Sequence, residues 1–436
     1  MKTIPEMLRA NSERFGDKPA VLFYDRTVTF RDLDEASGRV AAALGRRVVE
    51  EGEIVSMMMN NSPEFYAVFF GIQKAGAVAG PINCWWQTGE VEYLLNDSGT
   101  KVFFADGDYL HHVEALKGKT GVKRLIVNET DAPPAGAAKL TEILASAEEA
   151  PSSHRIAPDS PCAILYTSGT TGQPKGALLT HKNLMFAGRA KSKAADLSSE
   201  DKALCVLPLF HGAGLLDLSM PCLYTGATVV LRKGFSATEF WGLIEQHQVT
   251  GIYGVPTIYH ILLQLEESKT VDASSLRFGV IGAAPTPVEL INEFEKRYGM
   301  KIIEGYGLTE SSGGASLTPT EGSRKIGSAG VPMESVELKI FDDDDNELPA
   351  GEVGEIMLRS EGVMKEYWKK PEETARAMRG GWLHTGDMGR CDEDGWLFIV
   401  DRKKEMVIRG GENIYPKELE DVLYKHPKVS EVAVIG

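Results

Sequence analysis

The sequence contains no long uninterrupted apolar run, and this shortage excludes a membrane-spanning helix. Its most apolar stretch, residues 65–82, is broken by Gln73, Lys74 and several glycines. We therefore expect a buried helix and strand there, and no transmembrane span. Residues 1–18 are charged throughout and lack an apolar core, so we do not expect a signal peptide.

Cysteine and positive charge are also scarce. The five cysteines are scattered, odd in number and without C-x-x-C spacing, which fits free thiols in a reducing compartment and predicts a cytoplasmic protein.

Lys and Arg total 47 against 62 Asp and Glu, a net charge of −15. Long-range repulsion then opposes a nucleic-acid or anionic-membrane surface. An anionic ligand must be held by local donors. Association into a homo-oligomer stays open.

Helical and strand-like segments alternate along most of the chain, which predicts an α/β fold. Because 436 residues exceed one simple core, we expect two βα-layered subdomains. Asp32 is predicted to cap a helix, with Glu35 three residues later. The predicted helices are 7–15, 32–44 and 63–73, and the predicted strands include 20–23, 78–82, 102–105, 203–207, 228–231, 251–255, 279–281 and 301–304.

Beyond residue 331 the helical pattern stops, and short apolar runs predict a third, short-stranded β subdomain. The acidic run 342–345 lies between two of these strands. A metal site is one interpretation of four adjacent carboxylates. A solvated hairpin tip is favoured, because the run lacks regular ligand spacing.

The most informative segment is YTSGTTGQPKGALLTH, residues 166–181. Apolar strands are predicted at 163–166 and 177–179, so the residues between them form a loop. Its glycines let backbone N–H groups approach an anion closely, and Lys175 adds one positive charge. A flexible Ser/Gly linker is the alternative, disfavoured because two strands clamp the loop. The segment predicts an ATP-phosphate site whose loop residues are Thr167, Ser168, Gly169, Thr170, Thr171, Gly172 and Lys175.

Four further motifs follow in order: GAAP at 282–285, EGYGLTE at 304–310, WLHTGDMG at 382–389 and DRKKEMVIRGGENIYPKELE at 401–420. With the loop, they resemble the adenylate-forming superfamily of acyl-CoA synthetases, aryl-CoA ligases, peptide-synthetase adenylation domains and luciferases, and most resemble a bacterial fatty-acyl-CoA ligase. The resemblance implies a large N-terminal adenylation domain at 1–400. It also implies the start of a small mobile α+β C-terminal domain at 401–436, truncated within that domain.

The resemblance implies that a carboxylate attacks the α-phosphorus of ATP, giving an acyl-adenylate that then passes to CoA. In this pattern Lys175 and its loop cover the outer phosphates, Thr309 contacts the α-phosphate, and Glu310 helps hold Mg²⁺. A Gly-rich turn with an exposed acid is the alternative for the EGYGLTE motif.

Nucleoside recognition is implied at three further places. Tyr306 would lie against adenine, Asp387 would accept hydrogen bonds from the ribose hydroxyls, and Arg402 would reach the same sugar. An ordinary turn is the alternative for Asp387. The remaining residues implied to line the nucleotide site are Gly282, Ala283, Ala284, Glu304, Gly305 and Gly307.

Residues 401–404 resemble the hinge about which the C-terminal domain rotates, and Gly410 and Gly411 resemble the lining of a CoA tunnel. A solvated basic face is the alternative for Lys403 and Lys404. The resemblance also implies a later lysine that acts in adenylation, and no residue of this sequence matches it. We therefore expect a fragment of a longer chain.

The implied acyl pocket is walled by residues 210–212, Gly214, residues 253–256, Gly282 and residues 305–307, none of them Lys, Arg or Asp. This predicts a largely apolar, fatty-type acid. His211 is implied as a gate beside the carboxylate, and a packed core histidine is its alternative. Two other functions stay open: an adenylate-binding module without turnover, and an enzyme that serves a carrier protein.

Overall fold

The computed structural model describes residues 1–147, 156–167, 173–266, 270–284, 286–403, 407–409, 412–414, 416–424, 429, 432 and 434. The strands are β1 (Pro19–Phe23), β2 (Arg26–Thr29), β3 (Ile54–Met58), β4 (Val78–Pro81), β5 (Val102–Asp106), β6 (Arg124–Asn128), β7 (Ala138–Lys139), β8 (Pro161–Thr167), β9 (Lys175–Thr180), β10 (Lys202–Cys205), β11 (Thr228–Leu231), β12 (Gly251–Gly254), β13 (Phe278–Ile281), β14 (Lys301–Tyr306), β15 (Ser316–Leu317), β16 (Val331–Pro332), β17 (Val336–Phe341), β18 (Gly354–Ser360), β19 (Glu366–Tyr367), β20 (Leu383–Cys391), β21 (Leu397–Arg402), β22 (Val407–Arg409) and β23 (Glu412–Ile414).

The helices alternate with these strands. They are α1 (Ile4–Phe15), α2 (Phe30–Val48), α3 (Pro63–Lys74), α4 (Thr88–Ser98), α5 (Leu110–Ala115), α6 (Leu140–Ala145), α7 (His181–Ala194), α8 (Met220–Thr225), α9 (Phe240–His247), α10 (Pro256–Gln264), α11 (Val288–Tyr298), α12 (Pro371–Ala377) and α13 (Pro416–Tyr424). A π-helical segment, Ala213–Ser219, leads into α8. None of the helices within the described ranges is long and apolar enough to cross a membrane.

Among the described residues the strands form two large sheets, a four-stranded sheet and the two-stranded pair β22-β23. The predicted α/β class with two layered subdomains and a short-stranded β subdomain is confirmed. One large sheet has the order β19-β9-β8-β4-β3-β5-β6-β7, and the other has the order β16-β15-β14-β13-β12-β10-β11-β1-β2. Each is parallel at its centre and antiparallel at one or both edges. The third, β17-β18-β20-β21, is antiparallel throughout. The acidic run 342–345 lies in the turn after β17, where Asp342 Oδ1 accepts hydrogen bonds from the backbone N–H groups of Asp344 and Asn346.

A single apolar core joins the two large sheets, and α3 lies within it. Residues 63–73 were predicted to form a helix that is apolar on one face. In the structure Phe65, Tyr66, Phe69 and Phe70 are all buried, and they lie on different sides of the helix. A helix that is apolar all round belongs in the interior. A Cβ at Gly71 would lie 2.5 Å from the Cβ of Val40, so only glycine permits this crossing of α2 and α3.

Two local predictions were wrong. Helix α2 begins at Phe30, not Asp32: Thr29 is the cap, its hydroxyl accepts from the Asp32 backbone N–H, and Asp32 Oδ2 accepts from the Thr29 N–H. Asp32 is thus the third residue of a capping box. Helices also do not stop at residue 331, since α12 follows β19. It has no buried residue, so it lacks the apolar stripe from which helices are predicted.

His181 fixes α1 to α7. Its ring is buried, and Nδ1 accepts a hydrogen bond of 3.3 Å from the backbone N–H of Ile4. That acceptor exists only in the neutral imidazole. Burial lowers the pKa of His181 from the ordinary 6.5 to about 3, because the charged form would lose its hydration.

We expect the free energy of unfolding to fall as the pH drops from 6.5 toward 4. In this window the unfolded chain binds a proton that the folded chain does not, which costs at most about 1.4 kcal/mol per pH unit. His181→Gln cannot titrate, so its unfolding curves in urea at pH 7 and pH 4 should differ less than those of the wild type. The exposed His111 supplies the control: His111→Gln should show the same loss of unfolding free energy between pH 7 and pH 4 as the wild type. An equal loss in both variants would contradict this role of His181.

Candidate functional site

The phosphate-loop segment is the turn of a hairpin. Strands β8 and β9 pair antiparallel, with Thr167 opposite Lys175, so the two predicted strands that clamp the loop are confirmed. The loop residues Ser168, Gly169, Thr170, Thr171 and Gly172 lie outside the described residues. The two ends of the loop are described, and they place a hydroxyl and an ammonium side by side at one sheet edge.

Lys175 is held by two residues that follow β9 by nearly 200 positions. Its Nζ forms an ion pair with Glu373 of α12 and lies 5.4 Å from the ring centroid of Tyr367. Strand β19 brings these groups close because it pairs with β9. The ammonium is therefore oriented at the mouth of the loop, and one carboxylate balances its charge.

Glu310 lies beside the same loop. It belongs to a short 3₁₀ turn, Thr309–Ser311, after β14. Its Oε1 accepts hydrogen bonds from the hydroxyls of Tyr367, at 2.9 Å, and Thr167, at 3.3 Å. Within the described ranges, no donor contacts its second oxygen. The predicted phosphate and metal residues thus meet, although 143 positions separate Thr167 from Glu310.

A second polar group joins β14 to the small sheet. The Tyr306 hydroxyl donates to Asp387 Oδ2 at 2.7 Å. Asp387 is opposite Arg402 in the β20–β21 pair, with Arg402 Nε 3.6 Å from Asp387 Oδ1. Burial raises the pKa of Asp387 above its usual range, while Tyr306 and Arg402 oppose that shift. Because an ionised carboxylate accepts about four hydrogen bonds, Asp387 keeps acceptor capacity for a ligand.

The GAAP turn faces β14 where the chain leaves β13. A Cβ at Gly282 would lie 3.2 Å from the Gly305 carbonyl oxygen and 3.4 Å from the Tyr253 hydroxyl. Ala283 and Ala284 are exposed, and Ala283 has a φ of +64°, a left-handed conformation that costs a non-glycine residue about 1–3 kcal/mol. With no side chain at Gly282, the backbone after β13 can lie close to Gly305 in β14. Glu304 accepts a hydrogen bond from the Gly327 backbone N–H at 3.0 Å.

His211 and Thr309 both line a cavity on one face of the sheet that contains β12–β14. A Cβ at Gly212 would lie 3.7 Å from the Thr309 hydroxyl. His211 is exposed, and its Nδ1 is 3.3 Å from the Ala213 backbone nitrogen, so the core-histidine alternative is wrong. The cavity continues between α7, the π-helical segment and β12–β14, with a volume of about 120 Å³.

Some of the residues predicted to wall the acyl pocket line this cavity, whereas residues 254–256 and Gly282 do not. His211, Gly212, Tyr253, Gly305, Tyr306 and Gly307 line it. Phe210 does not, and instead its ring meets Trp85 edge-on at 5.2 Å. Gly214 does not either, since a Cβ there would lie 2.4 Å from the Pro208 carbonyl oxygen. The prediction of a pocket without charge was wrong: Lys191 and Asp217 form an ion pair in its wall.

The sequence motifs missed four site residues, Tyr367, Glu373, Lys191 and Asp217. Asp217 carried a signal in the sequence, because it interrupts the apolar run LLDLSM. Lys191 did not, since α7 contains several other cations and only the structure shows that Lys191 is buried. Gly410, Gly411 and Lys404 lie outside the described residues. Lys403 pairs with Asp343 and Glu355.

Comparison with known proteins places the chain among nucleotide-dependent ligases. The family of AMP-binding enzymes matches residues 8–368. Feruloyl-CoA synthase of Amycolatopsis sp is 37% identical over 410 residues, covering 94% of this chain and 80% of that protein. A long-chain-fatty-acid–CoA ligase of Mycobacterium tuberculosis is 36% identical, covering 100% of this chain and 86% of that protein. The structure of an anthranilate CoA ligase in complex with anthranoyl-AMP superposes with a TM-score of 0.92 at 32% identity, covering 100% of this chain and 84% of that one.

Proposed function

The chain belongs to the AMP-binding enzyme family and is an AMP-forming acid–CoA ligase, and from this premise we propose which residues carry the reaction. The substrates are a carboxylic acid, ATP and CoA. A carboxylate oxygen bonds to the α-phosphorus as the bond to the bridging oxygen of pyrophosphate breaks, and the acyl group then passes to the CoA sulfur as AMP leaves. The relatives are named for CoA products, which supports CoA over a carrier protein as the acceptor.

The observation that carries the proposal is the convergence of two polar groups on β14 and the turn after it. Glu310 contacts Thr167 at the loop, and Tyr306 contacts Asp387 four positions earlier along the same segment. A nucleotide that lies along this segment has its ribose at Asp387 and its phosphates at Thr167 and Lys175. We place the adenine base against the ring of Tyr306, which lines the cavity together with Ala283.

Both reactants are anions, so the chain must supply positive charge and aligned donors. We assign Lys175 to the outer phosphates. On ATP binding its ammonium leaves the ion pair with Glu373 and contacts phosphate oxygens instead. The Thr309 hydroxyl donates a hydrogen bond to the α-phosphate in this proposal, because Thr309 belongs to the turn after β14 and also lines the cavity. His211, at the mouth of the cavity, borders the carboxylate. Each assignment places a donor where charge develops.

Glu310 fits a divalent cation such as Mg²⁺. Such ions take oxygen ligands, and Glu310 offers one oxygen held by two hydroxyls and a second that no donor contacts among the described residues. The Thr167 hydroxyl is a neighbouring oxygen. When bound, the ion neutralises charge on the departing pyrophosphate.

We assign residues 1–400 to the adenylation domain and 401–404 to a hinge before a small mobile domain, with Gly410 and Gly411 in a CoA tunnel. Arg402 supports this placement, since it is exposed yet lies beside Asp387.

All five cysteines are free, which supports a cytoplasmic location. A homo-oligomer is compatible with the proposal but not required by it.

The acid is largely apolar in this proposal, a fatty acid being one representative. Most side chains around the cavity are apolar, among them Leu197, Leu218, Phe278, Val280 and Met333. The relatives act on acids of different shape, as their names state, so the family alone does not select among them.

Acid-dependent exchange of labelled pyrophosphate into ATP tests the proposal. A panel of short, medium and long fatty acids, benzoates, cinnamates and amino acids should show exchange that requires both an acid and Mg²⁺. Amino acids should be inactive, because the one carboxylate among the described lining residues, Asp217, is already paired with Lys191. Exchange with no acid of the panel would contradict the proposed function.

Asp387→Asn should raise the ATP concentration needed for half-maximal exchange by about 10–100-fold, with a smaller change for the acid. The reason is the loss of charge-assisted hydrogen bonds to the ribose, worth about 1.5–3 kcal/mol. Asp394, exposed at the next turn, gives the control Asp394→Asn, which should leave both values unchanged. Equal weakening toward ATP and acid would count against Asp387 as the ribose acceptor.

A further inference from the structure

We propose that the Lys191–Asp217 pair selects acids whose largely apolar body carries a neutral hydrogen-bond donor, such as a hydroxyl or an aromatic amine. The inference rests on the proposed function and names the substrate class of the same site. It follows from how the pair is held, which of its atoms keep bonding capacity, and where it lies along the cavity.

The ammonium of Lys191 is fully used by the protein. Its Nζ contacts Asp217 and donates to the carbonyl oxygens of Leu216, at 3.1 Å, and Ser312, at 3.0 Å. Three partners satisfy the three N–H donors of an ammonium group. Lys191 therefore offers a ligand no donor, and its role is to hold the carboxylate of Asp217 in one place.

Asp217 keeps acceptor capacity toward the cavity. Its Oδ1 accepts a hydrogen bond from Lys191, and its Oδ2 receives, among the described residues, only a long contact of 3.4 Å from the Tyr253 hydroxyl. A carboxylate has about four acceptor positions, and the Asp217 side chain is 15% exposed against 9% for Lys191. The open acceptor positions match a donor on the ligand. Because Lys191 already neutralises the carboxylate, a neutral donor suits the site better than an ammonium.

Burying the Lys191–Asp217 ion pair in the cavity wall costs free energy. Burying two charges loses hydration that their attraction repays only in part, and apolar replacements of similar volume are often neutral or stabilising. The site also requires Gly313, where a Cβ would lie 2.1 Å from Asp217 Oδ1 and 2.6 Å from Lys191 Nζ. A role in recognition explains a polar pair in a pocket that is otherwise apolar.

Asp217 lies partway along the cavity. Gly212 faces Thr309 at the adenylate end, and Pro221 and Cys222 line the other end. Asp217 follows Gly212 by five residues along the π-helical segment, so the donor belongs in the body of the acid and not beside its carboxylate. The volume of about 120 Å³ is near the roughly 150 Å³ of a cavity that holds benzene, which favours a compact acid.

The test compares acids that differ by one donor: cinnamate with 4-hydroxycinnamate, benzoate with 4-hydroxybenzoate and 4-aminobenzoate, and hexanoate with 6-hydroxyhexanoate. Rates of acid-dependent AMP formation give kcat/KM, and calorimetry measures binding of the matching nonreactive acyl-sulfamoyl adenosines. We expect the wild type to prefer the donor-bearing acid of at least one pair by tenfold or more, since an unpaired polar wall penalises the analogue that lacks the donor. Comparison of the aryl pairs with the alkyl pair shows whether the cavity accepts aromatic or aliphatic acids.

The double variant Lys191→Met/Asp217→Leu removes both charges and should abolish or reverse that preference. Lys74 and Asp34 form another partly buried Lys–Asp pair away from the cavity, so Lys74→Met/Asp34→Leu is the matched control and should keep the wild-type preference. A wild type without preference in any pair, or a preference that the first double variant retains, overturns the inference while the ligase activity stands. Absence of AMP formation and of mimic binding with every acid overturns the proposed function as well.

Discussion

Replacing Lys175 with alanine is expected to slow acid-dependent pyrophosphate exchange by about 10²–10³-fold, the usual effect of losing one preorganised donor at a site of developing charge. The ammonium is oriented by Glu373 and Tyr367 at the mouth of the loop, and ATP brings the phosphates to that position. Thermal unfolding should change little, because the ion pair between Lys175 and Glu373 is partly exposed and such pairs contribute little to stability. The rate at saturating ATP and the ATP dependence should both be measured.

Lys182 supplies the control for this result. It also has a glutamate partner, Glu361, at 3.7 Å, and it lies at the start of α7 away from the loop. Lys182→Ala should exchange pyrophosphate at the wild-type rate. A Lys175→Ala variant as fast as Lys182→Ala would contradict the assignment of Lys175 to the phosphates.

Glu310→Gln should lower the exchange rate by a similar factor, about 10²–10³-fold, and should raise the Mg²⁺ concentration needed for half-maximal activity. The amide keeps the shape of the side chain and can still accept from Thr167 and Tyr367, but it lacks the charge that a divalent cation requires. The Mg²⁺ titration separates loss of the cation from a fault in folding, which would not respond to the ion.

The exposed Glu321 is the matched carboxylate, and Glu321→Gln should keep both the rate and the Mg²⁺ dependence of the wild type. An unchanged Mg²⁺ requirement in Glu310→Gln would show that the ion is held elsewhere.

Sequence motifs predicted the parts of the site that are local in the chain. The hairpin around the loop was readable from two apolar runs on either side of a Gly-rich segment, and β8 and β9 pair as that pattern requires. The resemblance implied only that Tyr306 and Asp387 serve the same nucleoside and did not predict their contact, because 81 positions separate the two residues and no periodic pattern links them. The structure shows them in direct contact.

The missed residues depend on pairing between distant strands. Tyr367 reaches Glu310 because β19 pairs with β9 at the sheet edge, a two-residue strand with no apolar run of its own. Helix α12, which carries Glu373, was missed for a related reason, since a helix with no buried residue has no apolar periodicity. A charge inside an apolar run, as at Asp217 in LLDLSM, is a further sequence signal for a site residue.

Calorimetric titration of the protein with a nonreactive acyl-sulfamoyl adenosine tests the central claim most directly, because the site at β14 is proposed to bind nucleotide and acyl group as one ligand. We expect one saturable site per chain, binding tighter than AMP or the free acid, and weakened about 10–100-fold by Asp387→Asn through loss of the ribose hydrogen bonds. No binding, or binding that Asp387→Asn leaves unchanged, would contradict the account.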